Sequence, residues 1–75
     1  MHWQDYIVAT ADTLHGTPRF TGTRIPVSVV LDNLAAGVAP EEIHNNYPTL
    51  PAEAISAALS YAADLAHDRI ISISA

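Results

Sequence analysis

Cysteine and lysine are both absent from this chain of 75 residues, and glycine, methionine, tryptophan and phenylalanine occur only three, one, one and one times. Without cysteine there can be no disulfide staple and no thiolate metal site. Without lysine, three arginines stand against eight carboxylates, for a net charge of −5 and a pI near 4.9. Nucleic-acid binders usually show the opposite balance. No run approaches the roughly 18 consecutive apolar residues of a membrane helix. The start, Met1-His2-Trp3-Gln4-Asp5, lacks the basic and apolar regions of a signal peptide. A cytoplasmic protein without membrane contact is the expectation.

What is present is apolar. Hydrophobic residues make up 49% of the chain and charged ones 15%, which favours a packed core over a disordered tail. A single domain of this size removes only about 60–65% of its extended-chain surface from water, so extra stability must come from close packing or from another protein.

Residues 1 to 26 form a β and turn arm. Tyr6-Ile7-Val8-Ala9 and Arg19-Phe20-Thr21 are short β-prone runs among Gly16, Pro18, Gly22 and Pro26. The prolines cannot donate to a ladder, so short or two-stranded elements follow. From Val27 the period becomes helical: Val27, Val30, Leu31 and Leu34 share a face, giving a helix over about 27 to 36 that Gly37 stops. Pro40-Glu41-Glu42 opens a short second helix, with Ile43 and Tyr47 inward and Pro48 at its end. A third helix opens near Pro51 and places Ile55, Ala58, Leu59, Ala62 and Leu65 or Ala66 on one face, while Ala52, Glu53, Ser56, Ala57 and Ser60 form its exposed side. The trihelical unit spans 27 to 68. Residues 69 to 75 are a tail whose Ile70-Ile71-Ser72-Ile73-Ser74 alternates like a strand or extends the helix. Two short linkers between three helices, the middle one brief, predict a mainly α fold of the helix-turn-helix type with a short N-terminal β element.

Gly16-x-Pro18, Gly22-Thr23-Arg24-Ile25-Pro26-Val27, Leu34-Ala35-Ala36-Gly37, Pro40-Glu41-Glu42-Ile43, Tyr47-Pro48-x-Leu50 and Ala57-Ala58-Leu59-x-Tyr61-Ala62 occur in this order. The succession resembles the bacterial domain-of-unknown-function family four-thirty-three, from about Tyr6 to Ala66. The resemblance implies a homeodomain-like three-helix helix-turn-helix. It also implies an antitoxin of the VapB type, which binds and silences a PIN-like ribonuclease toxin and can bind its own promoter. Family members often carry Ser or Thr at the caps of helices two and three, where this chain has Ala39 and Pro51, and Lys between the glycine and proline, where Thr17 stands. A missing cap costs about 1 kcal/mol. These departures bear on DNA binding rather than on the fold.

Gly16 and Gly22 have five residues between them and Thr-Arg after, whereas a phosphate loop has four and then Lys-Ser/Thr. Gly22 is instead a turn residue, Thr23 a partner of local backbone, and Arg24 an anchor for the strand. His2, His15, His44 and His67 fall on separate elements, so no metal or other cofactor is expected, although Asp64 and His67 share a helix face. The serines lack a base with an orienting acid nearby, and no enzyme is expected. For operator DNA the candidates are Arg19, Thr21, Thr23 and Arg24 at the turn and Ser56 and Ser60 on the third helix. Six arginines in a homodimer are few against the 6–10 phosphate contacts of typical binders, so binding should be weak. For a protein partner the candidates are Trp3, Tyr6, Arg69, Ile70, Ile71 and Ile73, because the Ala-rich third helix, Trp3, Tyr6 and the isoleucines of the tail carry more apolar surface than three short helices can cover. The tail could add to the toxin, with Arg69 reaching its acidic site; core closure or homodimer pairing explains it equally well. The functional expectation is an antitoxin inhibiting a PIN-like toxin. The alternatives are a DNA-binding autorepressor and a homo-oligomeric scaffold.

Overall fold

The computed structural model describes residues 2–68. Expectations for Arg69, Ile70, Ile71, Ile73 and the rest of the tail lie outside the described residues.

Two short strands, β1 (Ile7–Val8) and β2 (Arg19–Phe20), pair antiparallel with Ile7 opposite Phe20 and Val8 opposite Arg19. Three helices follow: α1 (Val27–Ala35), α2 (Pro40–Asn46) and α3 (Ala52–Asp68). The result is a mainly helical domain with an N-terminal two-stranded hairpin. Ile7 and Phe20 are buried together with Val27, Val30, Ile43, Leu50 and Ile55, so the β element shares one core with the helices.

After β2 the chain reverses at once. Gly22 has φ 79°, the Thr23 N–H donates to the Phe20 carbonyl, and the Phe20 N–H donates to the Ile25 carbonyl. Arg19 then bridges to Pro26, which has no N–H of its own and stands as the cap before α1. At the other end of α1 the Gly37 N–H donates to Leu34 and the Val38 N–H to Asn33, a Schellman closure with Gly37 at φ 86°. This fixes the exit of α1 and turns the chain into Pro40. Ala39 offers α2 no side-chain cap, and Glu41 and Glu42 in its first turn supply charge complementary to the helix dipole instead.

The phase of α3 differs from the sequence-based expectation. Leu59 is 51% exposed and Leu65 45% exposed, while Ala57, expected outside, is fully buried with Ala54 and Ala58. The physical reason is close approach. Alanine lets the α3 backbone lie against its neighbours, and the space available is already occupied by Phe20, Val27, Val30 and Leu50. A leucine turned inward there would overpack the core. Seven-residue α2 is also too short to cover both Ile55 and Leu59.

The N-terminus clasps α3. Trp3 packs edge-on against Tyr61, ring centroids 4.9 Å apart, and its indole Nε1 donates to Asp64 Oδ2 at 2.6 Å. The 3-10 turn that presents it covers Trp3–Asp5. A second feature invisible in the periodicity is a left-handed stretch: Leu14, His15 and Gly16 have φ of 51°, 55° and 81°. Leu14 and His15 each carry a Cβ into a conformation that costs about 1–2 kcal/mol.

Two stability outcomes follow from these contacts. Trp3→Ala should lower the unfolding free energy by about 2–3 kcal/mol, and Trp3→Phe, which keeps an aromatic edge against Tyr61, should lose less; urea unfolding followed by far-ultraviolet circular dichroism checks both. In the same assay His15→Gly should raise stability by about 0.5–1 kcal/mol, because an exposed side chain is removed from a left-handed position.

Candidate functional site

Helices α2 and α3 diverge enough to leave a groove of about 460 Å³ between them. Pro40, Glu41 and His44 form one wall, and Ile55, Ser56 and Leu59 the other. Its position follows from the local sequence. Pro40 starts α2 immediately after the α1 turn, and His44 sits one turn later on the same side. The His44 ring then ties α2 to the linker: Nδ1 donates to the Leu50 carbonyl at 2.6 Å. A carbonyl can only accept, so this bond places the proton on Nδ1 and leaves Nε2 of a neutral ring as an acceptor. On the α3 side, Ile55 is buried at the base and Leu59 one turn on is half open to solvent.

The electrostatics of this face are one-sided. Helices α2 and α3 carry Glu41, Glu42, Glu53, Asp64 and Asp68 and neither Lys nor Arg over their described lengths. Glu41, Glu42, Glu53 and Asp64 are exposed; of these Glu41 lines the groove, and Asp64 is turned to Trp3. Among the described residues no group of three or more His, Cys, Asp or Glu side chains could hold a metal ion. Asp64, which shares a helix face with His67, bonds Trp3.

The residues considered for DNA are divided by the fold. Thr21 and Thr23 open on a smaller depression of about 240 Å³ beside Leu50, Pro51 and Ala54. Ser56 lies in the α2–α3 groove instead, and Ser60 is partly buried on α3. The anchoring role expected of Arg24 belongs to Arg19: Arg24 is exposed, whereas Arg19 Nη1 donates to the Thr23 carbonyl and Nη2 to Thr10 Oγ1. Arg19 Nε is buried without a partner among the described residues. The difference arises because Arg19 is on the strand and beneath the turn, while Arg24 stands at the turn's outer edge. Thr23 behaves as the sequence suggested, donating to the Phe20 carbonyl at 2.8 Å and accepting from the Ile25 N–H at 3.1 Å. Its hydroxyl is thereby committed to the turn.

Of the residues considered for a protein partner, Trp3 is partly buried against α3 and its indole N–H is already used. Tyr6 is partly buried beside the smaller depression, and its carbonyl accepts from the Thr21 N–H. The candidate site residues legible in the sequence do not include the groove residues Glu41, His44, Ile55 and Leu59. The signal that points to them is the surplus of apolar residues around α3, which the assumed helix phase assigned to the core.

The small helical domain so defined has relatives. Residues 7–62 match the family described as "Protein of unknown function (DUF433)", and the chain belongs to that family. The match covers β1 through the larger part of α3, including every residue of the groove. The chain is also 39% identical over 59 residues to "Uncharacterized protein y4eO" of Sinorhizobium fredii (strain NBRC 101917 / NGR234). That similarity takes in 79% of this chain and only 27% of the relative, so the chain spans about a quarter of the length of the protein it matches. No solved structure matches the chain.

The two arginines can be separated experimentally. Arg19→Ala should cost about 1–2 kcal/mol of stability by cutting the link between Thr10 and the Thr23 turn, while Arg24→Ala should stay within about 0.5 kcal/mol of the parent, both read by chemical denaturation. Leu59→Ser should likewise be tolerated within about 0.5 kcal/mol, in contrast to a loss of about 2–5 kcal/mol for Ile55→Ala.

Proposed function

We propose that this chain is the inhibitory partner of a type II toxin–antitoxin pair, and that it acts by stoichiometric binding to a PIN-like ribonuclease. The observation that carries this reading is the α2–α3 groove, where Leu59 stands 51% exposed above buried Ile55 and the one formal side-chain charge among the lining residues is that of Glu41. In a chain with so few core residues, leaving a leucine at a groove mouth has a cost in water that a protein partner would offset.

On this reading the three helices are a homeodomain-like helix-turn-helix in which α3 occupies the recognition position. In a DNA reader that helix would offer arginine, lysine or amide side chains to the grooves. Here its exposed positions include Ala52, Glu53, Ser56 and Leu59. The carboxylate repels phosphate, and the leucine suits protein better than a nucleotide backbone. The commitment of Arg19 to its own loop removes another phosphate contact. The family itself carries no stated function, so the partner's identity rests on the motif resemblance and the chemistry of the surface.

The test is co-expression with the product of the neighbouring gene. The account expects that product alone to arrest growth and cleave RNA, and this chain to restore growth and copurify with it in a fixed ratio. A neighbouring product that is harmless and does not copurify removes the antitoxin reading. A shift of upstream DNA at low salt by this chain alone, lost on Arg24→Ala, would replace it with autorepression.

A further inference from the structure

We infer that the α2–α3 groove receives a basic amphipathic helix of another protein, with one or two aliphatic side chains seated over Ile55 and Leu59 and a Lys or Arg set against Glu41. The inference deepens the function proposed above and rests on it in taking the occupant to be a protein; it does not depend on that protein being a ribonuclease.

The shape comes first. The groove lies between two helices, and its walls are the turn-spaced side chains Pro40 and His44 on α2 and Ile55 and Leu59 on α3. A surface ridged at one-turn spacing is complementary to the ridges of a third helix, which is how an amphipathic helix docks by anchors at i and i+4. An extended peptide would look for an unpaired strand edge, and neither β1 nor β2 lines this groove. At 1.5 Å per residue, seven-residue α2 is about 10 Å long, room for two anchors rather than four.

Charge then selects among helices. Glu41 is in the groove wall, Glu42 and Glu53 adjoin lining residues in sequence, and the two helices carry no Lys or Arg over their described lengths. A basic helix is drawn to this face and an acidic one is held off, with the preference fading as salt screens it. The same field argues against a second copy of this chain as the occupant, because an isologous contact through this groove would bring Glu41, with Glu42 and Glu53 next to the lining residues, against the same three carboxylates of the copy. His44 is held in place by the Leu50 carbonyl, so the wall it forms is fixed before a partner arrives.

The experiment uses the full chain and two fluorescein-labelled helical peptides of about 15 residues. Both carry Leu at i and i+4 on one face. One has Lys and Arg on the flanking positions and the other has Glu there. Fluorescence anisotropy at low salt should show the basic peptide binding at least about tenfold more tightly, with the gap shrinking as salt rises. Leu59→Ser should weaken it about tenfold, and Glu41→Gln should weaken it less and flatten the salt dependence. Circular dichroism confirms that both variants fold. Amide shifts on titration should concentrate in residues 40–47 and 52–59.

Equal binding of the two peptides, binding of neither, shifts centred on Trp3 and Tyr61, or indifference to Leu59→Ser overturns the proposal. So does an occupant already present in the free chain: nuclear Overhauser contacts from Ile70, Ile71 or Ile73 to Leu59, or a dimer that Leu59→Ser dissociates. Loss of the ribonuclease reading leaves the peptide results as expected. Conversely, a ribonuclease that Leu59→Ser still binds undiminished removes the groove as the contact and keeps that reading.

Discussion

Because Ala54, Ala57 and Ala58 are buried almost completely, the backbone of α3 lies close against α1 and the β element, and the other contacts of the domain are positioned from there. Three methyl groups on one side of a helix set its rotation. Ile55 is thereby directed toward α2, Tyr61 toward Trp3, and Leu59 into the open groove. Larger side chains at the alanine positions would push α3 away and leave Phe20, Val27 and Leu50 without close neighbours. The tight seam has a consequence for energetics, since each alanine buries little apolar area and the core depends on a small set of larger residues. The clasp of Trp3 on Tyr61 and Asp64 reinforces the same helix from its other end.

That arrangement connects core economy to function. A small domain without disulfides can gain stability by enlarging its core or by sharing a surface with another chain. Here α2 is short and uncapped, and α3 extends beyond it, so one apolar side of α3 stays partly uncovered. The acidic balance of the whole sequence is concentrated on the helices that border that uncovered strip. In the proposed complex, apolar contact would supply affinity and charge discrimination, a division common to protein interfaces.

The parts of the fold that sequence made legible are those encoded by residues with strong local effects. Gly37 and Pro40 place the end of α1 and the start of α2, and the observed bounds agree with the expected ones to within a residue. The two β-prone runs pair as expected because Pro18 and Pro26 limit them. The rotation of α3 was not legible, since alanine is compatible with either side of a helix and periodicity followed the larger Leu59 and Leu65. The groove is hidden in the sequence for the same reason: helical periodicity places Leu59 in the core, whereas it is 51% exposed. Nor does a sequence distinguish Arg19 from Arg24 as the anchor, because the choice depends on which one sits under the Gly22 turn. The bond from Trp3 to Asp64 joins positions 61 residues apart, and nothing local to either announces it.

The proposal that another protein completes the α2–α3 face is tested most directly by hydrogen exchange of the full chain, free and mixed with the product of the neighbouring gene, the proposed ribonuclease. The account predicts that amides of α2 and of the first half of α3 exchange markedly more slowly in the complex, because a helix laid over the groove holds the short, uncapped α2 in place. Protection that appears only around the hairpin and the Trp3 turn, with α2 exchanging as in the free chain, would contradict it.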